Sequence, residues 1–107
     1  MPMAIPRSCP AESVVKLIGG RWKIVILWYL FEGVKRHSEL HRALRGVTQK
    51  VLTQQLRDLE RHGFVTRSIY AQVPPKVEYS LTSLGMSLKP VVEAIHQWGV
   101  AHGVTEN

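Results

Sequence analysis

Residues 48–65 read TQKVLTQQLRDLERHGFV, and how this stretch folds decides the rest. At 100° per residue, Leu52, Leu56 and Leu59 fall within about 60° of one another on a helical wheel. Thr48 is a good N-cap and Gly63 a good stop, so the spacing predicts a helix over about Gln49–His62. The leucine side needs a core. The opposite side carries Lys50, Thr53, Gln54, Arg57 and Arg61, and none of these is acidic. Asp58 and Glu60 sit at the flanks of that stripe.

A face with donors and no carboxylate approaches phosphates without repulsion. In the major groove Gln pairs bidentately with adenine, Arg pairs with guanine, and Thr touches the thymine methyl. On an isolated amphipathic helix the ordinary explanation of such a stripe is a solvated face. The surroundings of this helix favour the nucleic-acid reading. The chain is basic, with 14 Lys and Arg against eight Asp and Glu, a net charge of +6. Such charge suits nucleic acid or an anionic membrane surface.

Upstream, Pro2 and Pro6 predict a flexible arm over residues 1–8. Pro10 suits the first turn of a short helix, about Pro10–Ile18, closed by Gly19-Gly20. A second helix, Trp22–Phe31, is apolar nearly all round and so is expected at the centre. A third runs about Ser38–Leu44, with Ser38 as its cap and Leu40, Ala43 and Leu44 inward. The stretch LRGVT, Leu44–Thr48, has the length of a helix-turn-helix turn.

Downstream, period-2 alternation predicts strands over Phe64–Tyr70 and Val77–Leu81, joined by the wide loop AQVPPK. Thr82 or Ser83 caps a last helix, about Leu84–His102, which Pro90 kinks or divides. The fold class is therefore mainly α with a small antiparallel β-hairpin, a winged helix-turn-helix. Residues 9–103 form this single domain with its terminal helices, and 104–107 are a tail. Gln49, Lys50, Thr53, Gln54 and Arg57 are the expected base-contacting set. Arg61, Lys76, Arg36 and His41 are expected on the DNA backbone, with Gln72 and Tyr70 near the same loop.

Several segments resemble the HxlR family of bacterial winged-helix transcription factors, relatives of the MarR-like regulators. They are Cys9-Pro10, GGRWKIVILWYL (Gly19–Leu30), TQKVLTQQLRDLERHGFVTR (Thr48–Arg67), PPKVEYSLTSLGMSL (Pro74–Leu88) and the late Trp98. The resemblance spans about residues 9–100. It departs at His37, where the family pattern has Phe. It implies a homodimeric regulator of transcription that binds double-stranded DNA, with the dimer built from the first and last helices and each wing beside the DNA. The residues support the dimer independently. The last helix has a wider apolar face than one small core requires, which points to Val91, Val92, Ile95 and Trp98 as the interface. A two-fold dimer reads an inverted repeat.

A lone cysteine, Cys9, excludes an intramolecular disulfide and fits a reducing compartment, the cytoplasm. The proline-broken N-terminus lacks the apolar core of a secretory signal, and no apolar run suggests a membrane span. A helix N-terminus favours thiolate over thiol. Some HxlR-like regulators sense oxidants or electrophiles through an N-terminal cysteine, so the resemblance makes Cys9 a redox-sensing candidate. The competing reading is a small apolar residue near a dimer surface.

The stretch HSELH, His37–His41, is not a zinc-protease motif, because Ser38 stands where Glu is needed. No third metal ligand is evident beside His37 and His41, and no nucleophile–base pair, P-loop or dinucleotide motif occurs. Neither metal, cofactor nor catalysis is expected, and no small-molecule effector can be read. A repressor and an activator share all of these residues. The reading is a sequence-specific transcriptional regulator. The alternative is a winged-helix module that docks another protein and binds no DNA.

Overall fold

The computed structural model describes residues 9–104. The expected arm (residues 1–8) and all but the first residue of the expected tail lie outside them. The elements run α1 (Pro10–Ile18), α2 (Lys23–Phe31), β1 (Lys35–Arg36), α3 (His37–Ala43), α4 (Gln49–Arg61), β2 (Val65–Tyr70), β3 (Lys76–Leu81), α5 (Ser83–Met86) and α6 (Lys89–Ala101). The expected hairpin is one strand short. Lys35 and Arg36 add β1 antiparallel to β3, giving a sheet ordered β1-β3-β2. In the hairpin Val65 faces Leu81 and Tyr70 faces Lys76.

The core lies where α2, α3, α4 and the sheet meet. Ile26, Leu27, Leu30, Leu40, Leu52, Leu56, Leu59 and Val65 are all but sealed from solvent. Each such side chain contributes about 1.5–3 kcal/mol on leaving water. All three leucines of the opening stretch are in this set.

One helix start differs from expectation, and the last helix takes the divided form. Helix α3 begins at His37, not after Ser38: Glu39, three residues past Arg36, accepts the Arg36 N–H through Oε1 at 2.8 Å. This reach-back satisfies the N–H of the residue before the helix, which fixes the start one residue ahead of Ser38. The last helical region is two helices, α5 and α6, with Pro90 in the first turn of α6. Proline there loses no hydrogen bond, so the chain breaks before it and restarts.

The turn between α3 and α4 needs Gly46, whose φ of +88° lies in the left-handed region. A tight joint forms where β3 passes into α5. Thr82 Oγ1 donates to the Gly63 carbonyl at 2.5 Å and accepts from the Gly85 N–H at 3.0 Å. The Phe64 carbonyl accepts from the Thr82 N–H at 3.0 Å. A β-carbon on Gly85 would sit 2.1 Å from that same carbonyl oxygen, so this contact admits only glycine.

Candidate nucleic-acid interface

Helix α4 starts as the sequence predicts: Thr48 Oγ1 accepts from the Val51 N–H at 3.1 Å. With Leu52, Leu56 and Leu59 buried, the helix cannot rotate, and its other side is fixed outward. Gln49, Lys50, Gln54, Arg57 and Arg61 are exposed there. Thr53 is only half-exposed, because it turns toward α3. Its Oγ1 lies 3.0 Å from His37 Nε2.

The stripe is less free of acid than the wheel implies. Asp58 lines the same shallow groove as Thr53, Gln54, Arg57 and Arg61. Its carboxylate is spent inside the protein, however. Oδ2 lies 3.4 Å from Lys23 Nζ on α2, and Oδ1 takes a close hydrogen bond from Arg61. Burial pushes the Asp58 carboxyl up, but the Lys23 hydrogen bond and the Lys23 and Arg61 charges outweigh it and hold it below its ordinary value. Asp58 therefore stays ionised and paired, at the cost of half-neutralising Arg61. Glu60 lies off the stripe, its Oε2 3.3 Å from Arg67 Nε.

A second cationic surface lies beside α4. Arg36 and His37, with Gln72, Pro74, Pro75 and Lys76 of the wing, line a groove of about 480 Å³. Lys76 Nζ sits 4.5 Å above the Tyr70 ring and 3.7 Å from Glu78, so its position is held from both sides. His41 is half-exposed one turn past His37. Burial, and next the charge of His41, push the His37 pKa below its ordinary 6.5. Burial likewise pushes the Tyr79 phenol up. The His37 and Tyr79 ring centroids lie 6.3 Å apart. In the sequence His37 stands out as a departure from the family pattern and as a rejected metal ligand, and its bond to Thr53 is not evident there. Only the helical wheel carried a hint, placing Thr53 about a quarter turn from the leucines.

The expected dimer residues divide. Val91, Ile95 and Trp98 are 41%, 50% and 61% exposed. Val92 is 1% exposed and must be removed from the interface set. It faces α2, in a crevice shared with Ile24, Val25 and Trp28, and so closes the subunit's own interior. Val15 on α1 is 65% exposed, so an apolar surface exists on the first helix too. Cys9 is half-exposed at the N-cap of α1. Among the described residues no group of three His, Cys, Asp or Glu could hold a metal ion. None of their helices is long and apolar enough to cross a membrane.

Comparison with known proteins fits this geometry. The chain is 53% identical over 92 residues to the uncharacterized HTH-type transcriptional regulator YkvN of Bacillus subtilis (strain 168), covering 86% of this chain and 78% of that protein. The reduced form of the redox regulator HypR superposes with a TM-score of 0.84 at 46% identity, covering 86% of this chain and 91% of that one. A protein described as a MarR-family transcriptional regulator, from Porphyromonas gingivalis W83, superposes with a TM-score of 0.86 at 31% identity, covering 92% and 97%. Residues 17–107 match the family model described as HxlR-like helix-turn-helix, and with the winged architecture this shows that the chain belongs to the HxlR family of HTH-type transcriptional regulators.

Proposed function

We infer that the protein binds double-stranded DNA as a homodimer, with α4 in the major groove and the β2–β3 wing beside it. The observation that carries this is the outward stripe of Gln49, Lys50, Gln54 and Arg57, with the Arg36–Lys76 groove next to it. Lysine and arginine on phosphates release counterions, and Gln and Arg have the donor geometry for base edges. Arg61 and His41 add backbone contacts at the rim. Two copies paired through the open apolar faces of α1 and α6 present two α4 helices about 34–36 Å apart, the repeat of successive major grooves on an inverted repeat. The cytoplasm is the compartment this function requires.

The test is fluorescence-anisotropy titration against genomic fragments at rising salt. A DNA-reading dimer shows one preferred fragment and a steep fall of affinity with salt. A flat, sequence-blind response would leave the protein-docking module as the better reading.

The likeness to HypR, named a redox regulator, supports control through Cys9. With a single thiol per chain, an oxidant that takes two electrons and two protons from a pair of thiols links two subunits. An electrophile instead leaves an adduct on each. Diamide treatment followed by non-reducing electrophoresis and DNA titration, with Cys9→Ser as control, tests this. Unchanged binding after complete Cys9 modification excludes it.

A further inference from the structure

Thr53 differs from its neighbours on the stripe. Gln54 and Arg57 point to solvent, whereas the Thr53 hydroxyl meets His37 Nε2 at 3.0 Å, across 16 residues of sequence. A hydroxyl has one proton to give and two lone pairs to accept with. What it offers to anything else depends on what its imidazole partner takes.

The chemistry is simple to enumerate. If Nε2 bears no proton, Thr53 donates to it and turns only lone pairs toward a ligand. If Nε2 bears a proton, Thr53 accepts, and its own proton is free to donate. A neutral imidazole supplies either arrangement by changing tautomer. An imidazolium donates from both nitrogens and allows only the second.

We propose that His37 is a specificity-determining positioning residue, which acts through Thr53 to set whether α4 has a hydroxyl proton to donate to the facing base pair. This rests on the DNA-reading function inferred above. With His37 neutral, the tautomer sets the preference: Nε2 without a proton turns only Thr53 lone pairs outward, which suits an adenine or cytosine amino group, and Nε2 with a proton frees the hydroxyl proton for an acceptor on the base. With His37 charged, Thr53 cannot spend its proton on the ring, so that proton is always free for an acceptor on guanine, thymine or adenine N7, while cytosine, which shows only an amino donor, gains nothing.

The surroundings of His37 support both states. It is faced by Arg36 from β1, His41 from its own helix, and Lys76 and Tyr79 from β3. From α4 it meets Thr53, with Arg57 acting on Tyr79 behind the ring. Glu78 on β3 is paired with Lys76, and Glu39 on α3 takes the Arg36 N–H, so neither carboxylate is free to hold the imidazolium. Burial and His41 keep His37 neutral near pH 7 in the free protein. A phosphate entering the Arg36–Lys76 groove favours the charged form, which places the change within reach of mild acid.

The experiment selects duplexes from a random library with the wild type, Thr53→Val, His37→Phe and His37→Gln, at about pH 8 and about pH 5.5. The base pair read by Thr53 is the one whose preference Thr53→Val abolishes. His37→Phe is expected to flatten preference at that same base pair, and the double variant to flatten it no further. In the wild type, preference there moves about 2–10-fold away from cytosine and toward a base with an exposed acceptor at low pH, the worth of one hydrogen bond. His37→Gln, which donates and accepts but does not titrate, keeps the pH 8 preference and shows no shift. Thermal melts identify any variant that fails to fold, and His37→Gln carries the test if His37→Phe does. Equal weakening on all sequences, with the Thr53-dependent preference intact and pH-independent, overturns the proposal and makes His37 a packing residue. Failure of the wild type to select any duplex removes the DNA-reading function itself, a separate and recognisable result.

Discussion

Helices α4 and α6 are both 13 residues long, and they solve opposite problems. Helix α4 buries Leu52, Leu56 and Leu59 within its own subunit and shows solvent a polar, basic side. Helix α6 buries only Val92 and leaves Val91, Ile95, Trp98 and Val100 in water. The first is finished as a piece of core and free to meet a charged polymer. The second is unfinished, since an apolar surface of that extent is stabilised by a second one. Under the proposed function these two surfaces would meet different partners, DNA and a second subunit.

The comparison breaks in measurable ways. Leu56→Ala should have the largest effect, costing about 2–5 kcal/mol of folding stability by cavity formation, read in urea unfolding. Trp98→Ala should leave the subunit's fold nearly intact but weaken self-association by about 2 kcal/mol or more, read by sedimentation equilibrium. Comparable losses of folding stability in both variants would erase the distinction between the two helices. Arg57→Ala should cost about 1–3 kcal/mol on the preferred duplex and relax selectivity at one base pair. Lys76→Ala should weaken every sequence alike and lower the salt slope by about 1. Thr48→Ala, which removes the cap from α4, should cost about 1 kcal/mol of stability.

The smallest effect is the one with acid. The folded-state pKa of His37 lies below its unfolded value of 6.5, so the unfolded chain binds the proton more readily. His37 therefore contributes stability above about pH 6.5 that is lost as the pH falls from there through its lower folded-state pKa. His37→Phe should flatten this part of a melting-temperature profile. Asp58, also depressed, contributes stability above its ordinary value near 3.8 that is lost on further acidification. Lys23→Met should diminish that lower step.

Much of α4 was legible because its leucines repeat at helical spacing and its cap and stop residues bracket them. Strand β1 was not, since two residues show no alternation, and Lys35-Arg36 becomes a strand only because β3 lies beside it. Val92 shows what periodicity leaves open. The wheel places it on the apolar side of α6, but whether that side meets α2 or a second molecule is decided in three dimensions. The same holds for Asp58, whose neutralisation depends on Lys23, 35 residues earlier. His37 engages Thr53 from another helix, a relation that no local spacing encodes.

The joint around Thr82 and Gly85 has its own consequence. It clamps Gly63 and Phe64, just past the end of α4, to the start of α5, from which the chain enters α6. The exit from α4 and the entry to α5 are thereby set against each other like the fixed corner of a set square. Under the proposed function, a second subunit docked on α6 would inherit that setting, so the reach between the two α4 helices would be gauged by a corner where even one methyl group is too many.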